Sequence, residues 1–195
     1  MSADEAAAPE GDEREFSYET FGRRFFEYAV TTERVESALA SIAGDRIDVG
    51  PRSIGPGGVA SITASGHVVA PKVTPREGEV IAFDVTLPVH LALEVRLAGQ
   101  SHRFDADLHA DLRLTARALA PLRIFIDVAT PAAADVRVEV AARGFGANVL
   151  NRLADVEGEL RRHVAHYIAE QIDAPRIRAL RDIDVADRLE RSWAG

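Results

Sequence analysis

The chain has 195 residues, and its 47% hydrophobic and 28% charged content is typical of a globular domain of ordinary size. The formal net charge of −8 disfavours nonspecific binding to nucleic acid, which depends on a basic surface. The absence of cysteine excludes disulfides and thiolate-bound metals, and no apolar run approaches the ~20 residues of a membrane-spanning helix.

The N-terminal residues 1–14 are acidic and poor in apolar groups, which predicts a disordered tail. Because this segment lacks the basic start and the apolar core of a secretory signal, we expect a cytoplasmic protein. Lys72 is the only lysine, and such a preference for arginine indicates a bacterial source with a GC-rich genome. The remaining residues, 15–195, are expected to form one domain.

Residues 18–43 carry apolar side chains at helical spacing, and Ser17 is the predicted N-cap. Thr31 and Thr32 interrupt the pattern, so the segment predicts either two short helices or one bent helix. Six aromatic residues are concentrated in this part of the chain: Phe16, Tyr18, Phe21, Phe25, Phe26 and Tyr28. We interpret them as a plug for the core; the alternative is a patch that contacts a ligand or, transiently, a membrane.

After Gly44 the helical spacing gives way to alternation, which predicts an antiparallel sheet over residues 46–143. Two runs carry the pattern most clearly, 81–97 and 104–118, because every second residue in them is apolar. The first run would extend roughly 55 Å at ~3.3 Å per residue, whereas a usual strand has ~5–6 residues. A strand this long should twist and coil, and Pro88 predicts a bend or an edge position.

A long amphipathic helix is predicted over residues 147–173, with apolar side chains along one stripe. Pro175 is expected to stop it, and a short helix follows over 184–193, with Leu189 and Trp193 facing inward. The predicted fold class is therefore α+β. A long, strongly curved antiparallel meander sheet would pack against the N-terminal helical segment and the long C-terminal helix.

The long helix and its N-terminal turn contain two polar patterns that could carry chemistry. His163 and His166 lie on adjacent turns, with Glu159 one turn earlier, and such side chains could share a metal. We prefer a solvated polar face, because no other carboxylates complete a site. Residues 144–148 only faintly resemble a phosphate-binding turn, since the full glycine fingerprint and the βαβ context are missing. We expect no metal and no cofactor.

A row of ionisable residues occupies the polar side of the 104–118 run and of its predicted neighbour. It consists of Asp105, Asp107, His109 and Asp111, with His90 and Glu94 on the adjacent strand. The row could form an acid–base or cation site, but cross-strand pairing with arginines explains it equally well. The arginines available for such pairs are Arg96, Arg103 and Arg113. With no nucleophile motif elsewhere, we expect a protein that is not an enzyme.

The apolar face of the sheet is the remaining candidate for a site. If the helices cover it completely, the protein has a solid core; if they close on it only in part, an elongated apolar tube suited to acyl chains remains. The residues predicted to line this groove are Phe83, Val85, Leu87, Val89, Leu91, Leu93, Val95, Leu108, Leu112, Ile124, Ile126, Val149, Leu153, Val156, Leu160 and Val164.

The order of these elements resembles the tubular lipid-binding (TULIP) superfamily, which includes bactericidal permeability-increasing protein-like and synaptotagmin-like lipid-binding modules. The resemblance covers about residues 18–175, and the runs 59–69, 81–97, 104–118 and 149–172 carry it. It implies non-catalytic binding or carriage of a lipid or fatty-acyl ligand in a groove between sheet and helix. A module this small would be one short tube or would be extended by forming a homodimer.

Two other interpretations remain open. A cone-like α+β fold of the ketosteroid-isomerase or nuclear-transport-factor kind would make the protein an enzyme, with His90, Asp105 or Asp107 as acid or base. The long C-terminal helix argues against it, because such folds usually end in strands. An assembly protein could instead dimerise through that helix. The arginines then available at the interface are Arg161, Arg162 and Arg178.

Overall fold

The computed structural model describes residues 15–40, 44–54, 58, 60–97, 99–141 and 147–194, with the backbone alone at 54, 60, 97 and 147–156. The predicted tail 1–14, the helix end 41–43, the strand end 142–143 and the glycine turn 144–146 lie outside the described residues. The elements are α1 (Tyr18–Ala29), α2 (Thr32–Ala40), β1 (Arg46–Ile54), β2 (Ala60–Val68), β3 (Lys72–Arg76), β4 (Ala82–Leu97), β5 (Gln100–Leu119), β6 (Arg123–Val128), β7 (Val136–Ala141), α3 (Ala147–Asp173), α4 (Pro175–Arg181), β8 (Asp182–Asp184) and α5 (Val185–Trp193).

The fold is α+β, as predicted: one antiparallel sheet of eight strands curls into a half-barrel, with helices at both ends of the chain. The two long strands form its centre, and all sixteen residues of β4 pair with β5. Along the outer edge of each long strand, two shorter strands pair one after the other. β2 and β3 share the free edge of β4, and β6 and β7 share that of β5.

This arrangement departs from a simple meander, because β7 returns to pair with β5 rather than with β6. The physical reason is the length of β5. It has twenty residues, and β6 covers only the stretch from Leu114 to Leu119. An uncovered remainder would present unpaired backbone groups, so the stretch from Asp105 to Ala110 takes β7 as its partner.

Pro88 lies in the middle of an interior strand, not at the edge that the sequence suggested as one alternative. The neighbouring strand is interrupted at this point, since β2 ends opposite Val89 and β3 begins opposite Thr86. The carbonyl of Pro88 accepts a hydrogen bond from the amide of Val69 at 2.9 Å. The amide hydrogen that proline lacks would point to the same side, so the break in the neighbour accommodates it.

The helices correct three expectations. Ser17 caps α1 through a hydrogen bond from the Thr20 amide, as predicted. However, no residue of α1 is fully buried. Phe26 packs against the second core cluster, whereas Tyr18, Phe21 and Tyr28 are more than half exposed, so the aromatic group as a whole does not plug the core. Trp193 is 88% exposed and Leu189 48% exposed, so α5 does not turn them inward. Pro175 ends α3 but also begins a further helix, α4, which leads into the short strand β8.

The apolar side of the sheet packs into two clusters. In the first, Leu160, Val164 and Ile168 of α3 cover residues of β1, β2, β4, β5 and β7. In the second, Val30 and Val35 at the α1–α2 end cover β3, β6 and the other end of the β4–β5 hairpin. The curled sheet is therefore covered by two separate helical segments, and their junction positions the candidate site.

A candidate apolar cavity

A cavity of about 250 Å³ lies between the sheet and the helices α2, α3 and α4. Its wall takes Ile47, Val89 and Val164 from the first cluster and Val35 and Leu114 from the second. The cavity thus marks the junction of the two clusters, where neither helical cover fills the space over the sheet. The cavity is partly open to solvent, and it is larger than the voids that packed protein interiors usually contain.

Five of the sixteen residues predicted to line a groove do line this cavity: Leu87, Val89, Leu112, Ile126 and Val164. Leu160 borders a much smaller adjoining pocket. Six others are buried in closed parts of the core and do not reach it: Phe83, Val85, Leu91, Leu93, Leu108 and Ile124. Val95 packs beside the first cluster. The side chains of Val149, Leu153 and Val156 lie outside the described residues.

The part of the wall that follows α3 was not predicted from the sequence. Ile177, Leu180 and Arg181 of α4 and Ile183 of β8 all line the cavity, and so does Arg34 of α2. A signal for α4 was present, because proline is favoured at the first position of a helix and Ile177 and Leu180 are spaced three apart. Pro175 therefore marks the start of α4 as well as the end of α3, and only the end was predicted.

A few polar groups interrupt the aliphatic wall. Arg176 pairs with Asp45 at 3.7 Å, and Arg34 donates to the carbonyl of Ala29 at 3.1 Å. On α3, burial raises the pKa of the Tyr167 hydroxyl above its ordinary value, and the charge of Asp45 acts in the same direction. A mostly aliphatic space with a few convergent polar groups is the usual form of a small-molecule site.

His163 faces both the cavity and the smaller pocket. Burial lowers its pKa below the ordinary 6.5, and the charge of Arg52 lowers it further, while Glu159 and Glu170 on the same helix oppose the shift and His166 adds to it. Histidine at this position is therefore held neutral more strongly in the folded protein than in the unfolded chain.

The pKa of His163 predicts a pH dependence of stability. The pKa of His163 is lower in the folded state than in the unfolded chain, so its contribution to the free energy of unfolding is complete above about pH 6.5. That contribution is lost as pH falls through the lowered pKa. In His163→Gln, the decrease in unfolding free energy between pH 7.5 and 5.5 should be smaller than in the wild type. Urea titrations at both pH values measure it, with the same substitution at exposed His166 as control. Equal decreases in wild type and His163→Gln would contradict the prediction.

The ionisable row lies on the other, exposed face of the sheet. Register places Arg46, His67, His90, Asp107 and Glu139 as successive partners across five strands. His90 hydrogen-bonds to Asp107 through Nδ1, and its ring centroid lies 5.9 Å from that of His67. None of the five lines the cavity.

The remaining members of the row take part in cross-strand pairs or remain exposed. Asp111 accepts from Thr86 at 2.9 Å and from Arg137 at 3.0 Å. Hydrogen bonds from Ser101 and Arg96 lower the pKa of Glu94 below its ordinary value. Two predicted arginines make such pairs: Arg103 contacts Glu94 at 3.9 Å, and Arg113 contacts Asp84 at 3.8 Å. Asp105 is exposed, and His109 lies opposite Pro88 on one side and Arg137 on the other. Across the described ranges, no three histidine or carboxylate side chains are placed to hold a metal ion.

Each of the predicted interface arginines has a carboxylate partner within its own chain, and Arg178 lies on α4 rather than on α3. Arg161 contacts Glu157 at 3.5 Å, and Arg162 pairs with Glu159 at 2.6 Å on the same helix. Arg178 contacts Asp173 at 3.4 Å. The described part of the apolar stripe of α3 is buried against the sheet of its own chain.

Helix α1 instead presents several large exposed aromatic side chains. Tyr18, Phe21 and Tyr28 are more than half exposed, and Phe21 stacks on Phe25 with ring centroids 6.4 Å apart. Arg24 lies over the Phe16 ring at 4.2 Å. The last residue of α1, Ala29, lines the cavity, so the C-terminal end of this helix reaches the candidate site.

Fold and cavity together define an α+β protein whose curled antiparallel sheet and helices form an apolar cavity that is partly open to solvent. No protein-family model matches the chain, and no curated protein is significantly similar to it. Within the part of the chain that the structure describes, no helix is both long enough and apolar enough to cross a membrane.

Proposed function

We propose that the protein binds and carries a small aliphatic ligand, without catalysis, in the cavity at the junction of its two core clusters. The observation that carries this proposal is the cavity itself, about 250 Å³ of space walled mainly by aliphatic side chains. An apolar chain placed there would be removed from water at a gain of ~0.8 kcal/mol for each buried methylene. The TULIP resemblance supports the same ligand class.

The volume sets the length of chain that the cavity itself can hold. A methylene takes up slightly less space than a water molecule, whose share of liquid volume is ~30 Å³, so the cavity has room for roughly eight to ten carbons. Burying that many methylenes gains about 6–8 kcal/mol before the cost of association, which corresponds at best to a micromolar Kd. We therefore propose a medium-chain acyl ligand rather than a diacyl phospholipid.

Native mass spectrometry with a series of saturated fatty acids of six to sixteen carbons tests the proposal. The expected result is a 1:1 adduct whose abundance rises up to about eight to ten carbons, because shorter chains leave space unfilled and further carbons would extend into solvent. A solvent extract of gently purified protein should be analysed beside it for bound acyl compounds. Absence of an adduct at every chain length, together with an empty extract, would overturn the proposal.

A further inference from the structure

Arg181 is the most deeply buried charged side chain of the described residues. Only 9% of it is exposed, and it forms part of the cavity wall. Its Nε donates to the carbonyl of Ile126 at 2.7 Å, and Nη1 donates to the carbonyl of Ile172 at 3.0 Å. The guanidinium also lies 5.0 Å from the ring centroid of Phe125, so its position is fixed from three sides.

What Arg181 lacks is a counter-ion. Among the residues that the structure describes, no carboxylate pairs with it, and the adjacent Asp182 binds Arg123 instead, with Nε to Oδ1 at 2.9 Å. An arginine has five N–H donors, and the two carbonyl bonds occupy Nε and Nη1, so the donors of Nη2, which is not a buried unsatisfied atom, remain for water or a ligand. Burying a cation without an anion costs free energy, which a bound anion would offset.

The charged residues that line the cavity also favour an anion. The described lining contains three arginines, Arg34, Arg176 and Arg181, and a single carboxylate, Asp45. The chain as a whole carries a formal charge of −8. A positive lining within a strongly negative protein favours an anionic ligand over a neutral or cationic one.

We infer that the ligand is an amphiphile with an oxyanion head, such as a carboxylate, bound by Arg181 while its aliphatic chain fills the cavity. This inference rests on the proposed function and specifies the ligand class. A guanidinium presents paired donors that match carboxylate or phosphate oxygens, so either head satisfies the same chemistry. The two carbonyl bonds and the Phe125 ring hold the Arg181 guanidinium in place. Binding therefore costs little additional side-chain entropy.

Calorimetric titration of the wild-type protein with decanoate, decyl phosphate and decanol tests the inference. The three probes share one chain and differ in the head, so the comparison isolates the head group. We expect decanoate to bind roughly 10- to 100-fold more tightly than decanol, the range for a charge-assisted hydrogen bond. Decyl phosphate, compared with decanoate, reports which oxyanion the site prefers.

Arg181→Gln should remove most of this preference by weakening decanoate to the level of decanol, whereas Arg181→Lys should retain part of it. Urea titration checks that Arg181→Gln still folds, and the ratio of decanoate to decanol affinity in Arg181→Lys carries the test if it does not. Equal binding of decanoate and decanol to the wild type would overturn the inference and leave the proposed function standing. If none of the three probes binds, the proposed function fails with it.

Discussion

Leu112→Trp is expected to weaken decanoate binding by at least about tenfold, or ~1.4 kcal/mol, with little loss of stability. Leu112 lines the cavity and is only partly buried, beside the space that neither helical cover fills. An indole would occupy part of that space and displace the chain of the ligand. Because the space is already empty of protein, the usual penalty for overpacking a closed core should be largely avoided.

Two tryptophan variants of other leucines serve as controls. Leu122 is 55% exposed and does not line the cavity, so Leu122→Trp should change neither binding nor stability. Leu93 is 2% exposed in the closed first cluster, so Leu93→Trp should destabilise the fold by ~1–3 kcal/mol. Calorimetry gives the binding change and urea titration the stability. If Leu112→Trp binds decanoate as the wild type does, or loses as much stability as Leu93→Trp, the cavity is not the binding space.

The second large effect is expected for Gly66→Ala. A Cβ on Gly66 would lie 1.8 Å from the carbonyl oxygen of His90 and 2.8 Å from Cδ2 of Leu91. The His90 backbone is held by its pairing with Asp107, and Leu91 is buried, so neither neighbour can withdraw freely. We expect a loss of about 1–3 kcal/mol, which lowers Tm by roughly 2–12 °C for a domain of this length.

Gly50→Ala provides the matched control for that substitution. Gly50 is also a strand glycine, in β1, but a Cβ there would meet no atom within 4 Å. Its Tm should stay close to that of the wild type, since surface substitutions without such contacts change stability by ~0.5 kcal/mol or less. A Gly66→Ala protein as stable as Gly50→Ala would show that β2 and β4 do not approach each other as closely as described.

The elements best predicted from sequence are those whose pattern has only one structural solution. Strict alternation over 81–97 requires a two-sided strand, and it appears as β4; the apolar stripe of 147–173 appears as α3. The role of Gly66 was not predictable, because in the sequence it occupies one more inward position of an alternating run. Only the approach of the His90 backbone makes a side chain there costly.

The candidate site was predictable only as a face, not as a position. Leu87 and Leu93 lie on the same side of β4 and are equivalent in the alternating pattern, yet only Leu87 lines the cavity. The difference depends on where α2, α3 and α4 come to lie over the sheet, which a strand pattern does not contain. For the same reason the sequence did not separate the exposed rings of α1, such as Tyr18 and Phe21, from Phe26, which packs against the second cluster.

Decanoate titration followed by two-dimensional ¹⁵N NMR tests the central claim most directly, because it reports where a ligand binds. If the cavity is the site, shift changes will concentrate at lining residues such as Val30, Leu112 and Ile168 and will saturate at one equivalent. Amides of the exposed aromatic face, such as Tyr18 and Phe21, will move little. Changes confined to that aromatic face, or no saturable change at the lining residues, would contradict the account.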